Sequence, residues 1–564
     1  MNRPVHACLA TIVAPRSARA DGQCAGAARA ETPGRGTTTT RMYRSLVLLL
    51  CVVVGAVSGC GDSDPPPRPT PTATATASVS PTPTPPPSAT ATAIASPTAR
   101  ATAVATMTRT RTPTATPTLD DTLPAALDNG RDGRNPLNNP ADVRPVDACA
   151  DELRATAASL VIRILPRGPL TADGSLAFTA GACVYLPPGY LDSGLAYPVL
   201  YLLHGGGGDQ ADWVAQGGVQ AIMDEAVAAD PANAAIVVMP DGTDGQWYDS
   251  FDGSSQVQHY VLHFLVPYVE RHFRTIATRA GRAIDGLSNG GYGAMHLAAK
   301  APDRFVVAGA MSANLAGLSF AGLQGGAAPA YALGSVPYYL AENLDRLDLT
   351  IDIGTECRGD RDIDNCLAWQ FEQLFAPANR QFDERLRAIR TAADGVVEYR
   401  EGEGAHAWRW WSRWLRERHL PFLLARLADP RPVTAPPLPD PTPPSPFRYR
   451  SIAPAFDVWG YHVAVERGVR EFLDLRAVTA DGLIVQGSGR VTITAPGYAA
   501  GAAYVVSGAG LEPQRLVADA AGRLRFRVDL GPSHVFEQFT PAANAAEAAG
   551  GYWTVRSIVI ERAR

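Results

Sequence analysis

Between residues 150 and 428, short apolar runs alternate with longer stretches of helical periodicity. Six runs fit strands buried on both faces: YPVLYLLHG (197–205), AIVVMPDG (235–242), RAIDGL (282–287), FVVAGAMS (305–312), LDLTIDIGT (347–355) and GVVEYREG (395–402). Between them, QAIMDEAVAA, QVQHYVLHFLVPYVERHFR and NRQFDERLRAIRTAADG read as helices, the last stopping at Gly395. This alternation predicts an α/β fold, a mostly parallel sheet with helices on both faces. Upstream, SLVIRILPRG and SLAFTAGACVYLPPGY fit antiparallel edge strands. Past residue 448 the helical stretches give way to alternating runs, RVTITAP, AAYVVSGA, RLRFRVDLG and YWTVRSIVIER, with turn signals at TADGL and ADAAGRL. They predict a β-sandwich-like accessory module over 448–564.

The remaining segments carry no such pattern. Residues 61–123, rich in Pro, Thr and Ala, have no apolar periodicity and read as a disordered tether. Residues 429–447 (DPRPVTAPPLPDPTPPSPF) read as a second, proline-rich linker, so the α/β domain is bounded at 124–428. Ahead of the tether, Arg41 and Arg44 flank an apolar run of 12 residues, Leu46 to Val57. That run is too short to span a bilayer and has the shape of a secretory signal. It ends in Val-Ser-Gly-Cys, which resembles a bacterial lipobox, so 42–60 is expected to be a lipoprotein signal peptide with Cys60 lipidated. Residues 1–41 show no fold signal, and Met42 is read as the start of translation. The expected location is exported and lipid-anchored at the cell envelope, on an outer membrane if the host has one.

Composition narrows the classes. The net charge of -5 and the absence of a basic stripe argue against nucleic acid as a partner. Four cysteines remain beyond Cys60: Cys149, Cys183, Cys357 and Cys366. In an exported domain they permit two disulfides. Cys357 with Cys366 closes a short loop, and Cys149 with Cys183 follows by elimination. No Cys-x-x-Cys and no nearby His pair suggests a metal site, and the chemistry below needs neither metal nor cofactor.

The candidate chemistry starts at AIDGLSNGGYGAMH (283–296). A buried strand turns at Gly-Leu-Ser-Asn-Gly into a helix of small residues. That is the context in which a Gly-x-Ser-x-Gly motif exposes a nucleophile, here Ser288, on a sharp elbow. Gly286 and Gly290 are expected because side chains there would clash. A serine hydroxyl needs a base held by an acid. His406, in the loop after the last strand, is the expected base, whereas His419 reads as a surface residue on the polar side of a helix. The acid is open among Glu356, Asp360, Asp362 and Asp364 after LDLTIDIGT, and Glu372 further on. The oxyanion donors are expected to be the backbone amides of Asn289 and of Gly206 in HGGGGDQADW. His204 buttresses that glycine loop. Trp213, Trp247, Trp408 and Trp411 are candidates either for a substrate pocket or for core packing.

VYLPPGY, YPVLYLLHGGGGDQADW, IVVMPDG, GLSNGGYGAMHLA and GAHAWRWW, in this order, resemble the esterase family of the α/β-hydrolases. That family holds esterase D (S-formylglutathione hydrolase), feruloyl esterases and antigen-85-type mycolyltransferases. The resemblance covers about 170–428 and implies an α/β-hydrolase fold. It implies acyl transfer to water, or to a sugar hydroxyl, through a Ser-His-acid triad. In the mycolyltransferase branch the acid lies seven residues before an Asn-x-x-Phe that opens the next helix. Here that motif starts at Asn379, which points to Glu372 as the acid, with Glu356 and Asp360 as alternatives. The expectation is an exported serine esterase acting on a small-molecule or carbohydrate-linked ester. The alternatives are an acyltransferase to a carbohydrate hydroxyl and a non-catalytic surface binding protein on the same scaffold. The C-terminal module is a candidate for polysaccharide contact.

Overall fold

The computed structural model describes Cys149 and residues 159–164, 167–169, 177–179, 181–242, 247–251, 256–317, 329–356, 363–391, 394–439 and 442–564. The signal peptide, Cys60, the tether, Cys357 and Asp360 lie outside the described residues, as does the side chain of Cys366.

One sheet of eight strands organises the α/β part. In chain order these are β1 (Leu160–Ile164), β2 (Ala182–Leu186), β3 (Val199–Leu203), β4 (Ile236–Pro240), β5 (Arg282–Gly286), β6 (Val307–Met311), β7 (Asp348–Glu356) and β8 (Val397–Glu403). Their spatial order is β1-β2-β4-β3-β5-β6-β7-β8. The first two strands pair antiparallel, with each other and with β4. The remaining neighbours are parallel. Each expected strand run holds one observed strand, and both upstream runs supply the antiparallel edge.

The continuous apolar runs have a physical cause in the two faces. In β3, Val199, Tyr201 and Leu203 point into one core, and Leu200 and Leu202 into another. The first core is closed by the helix over 257–272 (α2) and by α3 (Asn289–Lys300). The second is closed by α1 (Val219–Ala229) and by the helix over 408–424 (α5). Burial on both sides removes the need for polar positions, so these strands do not alternate. Cys149 and Cys183 form a disulfide with Cα atoms 5.7 Å apart, tying the segment before β1 to β2.

One helix differs from expectation. NRQF does not open a new helix, because α4 runs unbroken over Ile363–Ile389 with Pro377 inside it. Proline removes one N–H from a helix ladder but does not end this one.

The C-terminal part is a sandwich of two antiparallel sheets sharing one core. Its strands are β9 (Phe447–Ser451), β10 (Ala455–Val458), β11 (Tyr461–Glu466), β12 (Leu473–Thr479), β13 (Gly482–Gly487), β14 (Arg490–Ala495), β15 (Ala503–Gly508), β16 (Leu511–Val517), β17 (Leu524–Asp529) and β18 (Thr554–Arg562). The sheets are β9-β12-β13-β18-β15-β16 and β10-β11-β14-β17. Inward positions alternate with exposed ones, as in β17, which explains the alternating sequence runs.

The linker does not hold the two parts apart. Arg431–Pro432 pairs antiparallel with Leu195–Ala196. Beyond it, the Asn343 side chain grips the β9 backbone both ways, accepting from Arg450 N at 2.8 Å and donating to Arg450 O at 3.0 Å. Tyr449 donates to the Lys300 carbonyl, and Arg448 pairs with Asp345 at 3.0 Å. Ile452 and Phe472 of the sandwich are buried in the first core of the α/β part.

Candidate active site

Ser288 sits where β5 becomes α3, with φ 53° and ψ −122°. That backbone region is rarely adopted by a residue with a side chain and costs on the order of 1–3 kcal/mol. Its surroundings hold it there. Ser288 N donates to Met311 O at 2.7 Å, and Gly290 N donates to Leu287 O at 2.7 Å. A Cβ on Gly286 would stand 2.5 Å from the Gly290 carbonyl, and one on Gly290 would stand 2.4 Å from the carbonyl oxygens of Leu203 and His204. The two glycines therefore let the elbow press against the end of β3.

His406 follows β8 and reaches across to the elbow. Its Nε2 is 3.0 Å from Ser288 Oγ, and its Nδ1 is 3.3 Å from Glu372 Oε1. Glu372, on α4, is fully buried, and its Oε2 accepts the backbone N–H of Gly354 at 3.1 Å. A buried carboxylate without a proton needs such partners. Phe371, Phe375 and Trp411 surround the imidazole, with ring centroids 5.5, 5.7 and 4.9 Å from it. The structure thus brings Ser288, His406 and Glu372 together, while Glu356 is exposed at the end of β7. Asn379, fully buried, donates to Ala313 O and to Phe375 O, so it ties α4 to the loop after β6.

The glycine loop lies against the same elbow. A Cβ on Gly206 would be 2.8 Å from Asn289 Nδ2, and one on Gly205 would be 3.3 Å from Ser288 Cβ. Among the described residues neither the Gly206 nor the Asn289 amide makes a backbone hydrogen bond. His204 is buried beneath this loop. Its ring bonds to Gly205 O at 2.7 Å through Nδ1 and accepts from Gly242 N at 2.9 Å through Nε2. An acceptor role at Nε2 leaves the proton on Nδ1, so the ring braces two loops at once.

The tryptophans divide. Trp213, Trp247 and Trp411 are buried, and their indole N–H groups donate to Leu203 O, His204 O and Ser312 Oγ. They pack the scaffold under the site. Trp408 is only partly buried and stands edge-on to both Trp213 and Trp411.

His419 corrects the surface expectation. It is fully buried, with Nδ1 2.9 Å from Asp285 Oδ2 on β5 and Nε2 3.1 Å from Asp352 Oδ2 on β7. A Cβ on Gly309, in the strand between, would be 2.3 Å from Asp285 Oδ1, so that glycine makes the room. Arg400 and Arg418 also reach Asp352. Burial alone would lower the pKa of His419, but the charge of Asp285 and the hydrogen bonds that the ring donates to both aspartates outweigh it and push the value up to about 9. Burial would likewise raise Asp352, and its bonds to His419 and Arg418 instead hold it below the usual carboxylate range. The sequence carried a signal for this position: Trp411, Leu415, His419 and Leu423 recur every four residues, which places His419 on the apolar face.

Parallel strands, helices on both faces and a serine elbow at a strand end define an α/β-hydrolase. Residues 176–422 match the family model described as "Putative esterase". An esterase of Mycobacterium tuberculosis (strain H37Rv) is 38% identical over 146 residues, 24% of this chain and 30% of that protein. An endo-1,4-beta-xylanase/feruloyl esterase of Xylanibacter ruminicola is 33% identical over 138 residues, 23% of this chain and 19% of that protein. The chain thus spans under a third of the length of these relatives. Among solved structures, a ferulic acid esterase is 22% identical, with a TM-score of 0.40, covering 48% of this chain and 100% of that one.

The charged His419 has a stability consequence with a definite sign. Its folded pKa of about 9 lies above the ordinary 6.5, so its contribution is complete below about pH 6.5 and is lost as pH rises through about 9. Urea unfolding across that window should show stability falling with pH. His419→Gln should be destabilised at low pH by roughly 3–5 kcal/mol and should lose most of this slope. A variant with an unchanged slope would contradict a protonated His419.

Proposed function

We propose that the α/β part hydrolyses a carboxylic ester through Ser288, His406 and Glu372. The observation that carries this reading is the pair of contacts on one imidazole, 3.0 Å to a strained serine and 3.3 Å to a fully buried carboxylate. Ser288 Oγ attacks the ester carbonyl carbon as its proton passes to His406 Nε2. The negative charge on the carbonyl oxygen is met by the amides of Gly206 and Asn289. Collapse of the tetrahedral intermediate breaks the bond to the alcohol oxygen, which takes the proton from His406. Water then attacks the acyl-enzyme and gives its proton to the same nitrogen, and collapse releases the acid as that proton returns to Ser288 Oγ. Glu372 stays ionised throughout. It fixes the imidazole orientation and stabilises the imidazolium, while Gly354 N fixes Glu372.

The substrate we favour is an ester carried by a carbohydrate, since one relative is named as a feruloyl esterase joined to a xylanase. The N-terminal segment supports an exported enzyme, lipid-anchored at Cys60 and held off the membrane by the 61–123 tether. Among the described residues no helix is long and apolar enough to cross a membrane. For the anchor, a Cys60→Ala chain should move from the membrane fraction to the soluble one, and continued sedimentation with membranes would refute it.

Turnover of p-nitrophenyl acetate tests the chemistry. Ser288→Ala should fall by about 10³-fold or more, and Glu372→Gln by orders of magnitude, while Glu356→Gln stays near wild type. Activity retained by Ser288→Ala would sink the assignment, and loss in Glu356→Gln with retention in Glu372→Gln would move the acid to the end of β7.

A further inference from the structure

Residues 311–313, where β6 ends and the next loop begins, reach toward all three residues of the site. Met311 O accepts Ser288 N at 2.7 Å. Ser312 Oγ accepts the indole N–H of Trp411 at 2.9 Å, and the Trp411 ring stands nearly perpendicular to the His406 imidazole, with centroids 4.9 Å apart. Ala313 O accepts the Asn379 side chain on α4, the helix that carries Glu372. The stretch is itself held from two sides. Ser312 N donates to Asp352 O on β7 at 2.9 Å, and α3 presents Gly291, where a Cβ would stand 3.1 Å from Met311 N and from Ala313 Cβ. Three successive residues thus refer Ser288, His406 and Glu372 to one piece of backbone.

Ser312 is the unusual member. It is fully buried, with φ 53°. Among the described residues of the α/β part, only Ser288 and Ser312 carry a side chain at positive φ. Glycine adopts that region without strain, and serine does not. What serine adds over glycine at this position is a hydroxyl, and the partner of that hydroxyl among the described residues is the Trp411 N–H.

The imidazole of His406 needs such a brace. Its contacts to Ser288 Oγ and Glu372 Oε1 define an axis across the ring and leave the tilt of its plane to the surrounding packing. Phe371, Phe375 and Trp411 supply that packing. The two phenylalanines have no polar group, so Trp411 alone of the three is fixed by a directional bond, and that bond ends on Ser312.

We propose that Ser312 is a positioning residue for the triad: its hydroxyl fixes Trp411, and Trp411 sets the plane of His406. The strain at Ser312 is then the cost of placing a hydrogen-bond acceptor where glycine would sit more easily. The assignment rests on the esterase reading for its chemistry.

Kinetics with p-nitrophenyl acetate and thermal melting of two variants test it. Ser312→Gly and Ser312→Ala both remove the hydroxyl, but only alanine keeps the strain. Both should lose kcat alike, by about 10- to 100-fold, with KM little changed, although Ser312→Gly melts higher than Ser312→Ala. In a Trp411→Phe background, which lacks the donor, Ser312→Gly should cost no further activity. Wild-type kcat in either variant, kcat that follows the melting temperature, or the full further loss in the Trp411→Phe background would overturn the proposal. The rate of fluorophosphonate labelling at Ser288 separates this from the esterase reading. If the wild-type chain labels but turns over no ester, the esterase reading falls. Ser312 then stands if Ser312→Gly labels more slowly by the same factor, and falls if it labels at the wild-type rate. A wild-type chain that does not label at all overturns both.

Discussion

The site depends on how closely three stretches of backbone approach at the serine elbow. No side chain fits at Gly286 or Gly290, because each faces carbonyl groups of neighbouring chain at 2.4–2.5 Å from where a Cβ would be. That contact seats α3 against the end of β3. It brings the glycine loop after β3 alongside Ser288, so Ser288 and the amides of Gly206 and Asn289 share one small region. It also holds Ser288 at φ 53°, a conformation the residue would not keep alone.

Below the elbow, charge does what packing alone would not. Asp285 lies three residues before Ser288, and Asp352 two residues before Gly354, whose amide holds Glu372. His419 joins these two aspartates across the intervening strand. The strand that ends at Ser288 and the strand that supports Glu372 are therefore clasped by His419. A buried charge of this kind is costly unless paired on every side, which the two aspartates and the two arginines achieve.

Much of this was legible in the residues. Six strands, the elbow and the two glycines follow from patterning and sterics, because those constraints are local. His406 stood out as a histidine in a loop after the last strand. Glu372 was reached only through family resemblance, since its burial depends on how α4 folds back over β7. His419 was misread because its neighbours are charged. Its partners lie 134 and 67 residues away, and nothing in RERHLPF reveals them. The docking of the sandwich was likewise hidden behind a proline-rich segment that reads as a spacer. Ile452 and Phe472 look like ordinary strand residues until the first core is seen to include them.

The same docking packs the α/β part and the sandwich into one body. The account stands or falls on Ser288 being an activated nucleophile. Its most direct test is to treat the folded protein with a fluorophosphonate and locate the adduct by peptide mass spectrometry. The account predicts one covalent adduct, on Ser288, formed by the folded chain and abolished by urea. No adduct, or one on another serine with Ser288 untouched, would contradict it.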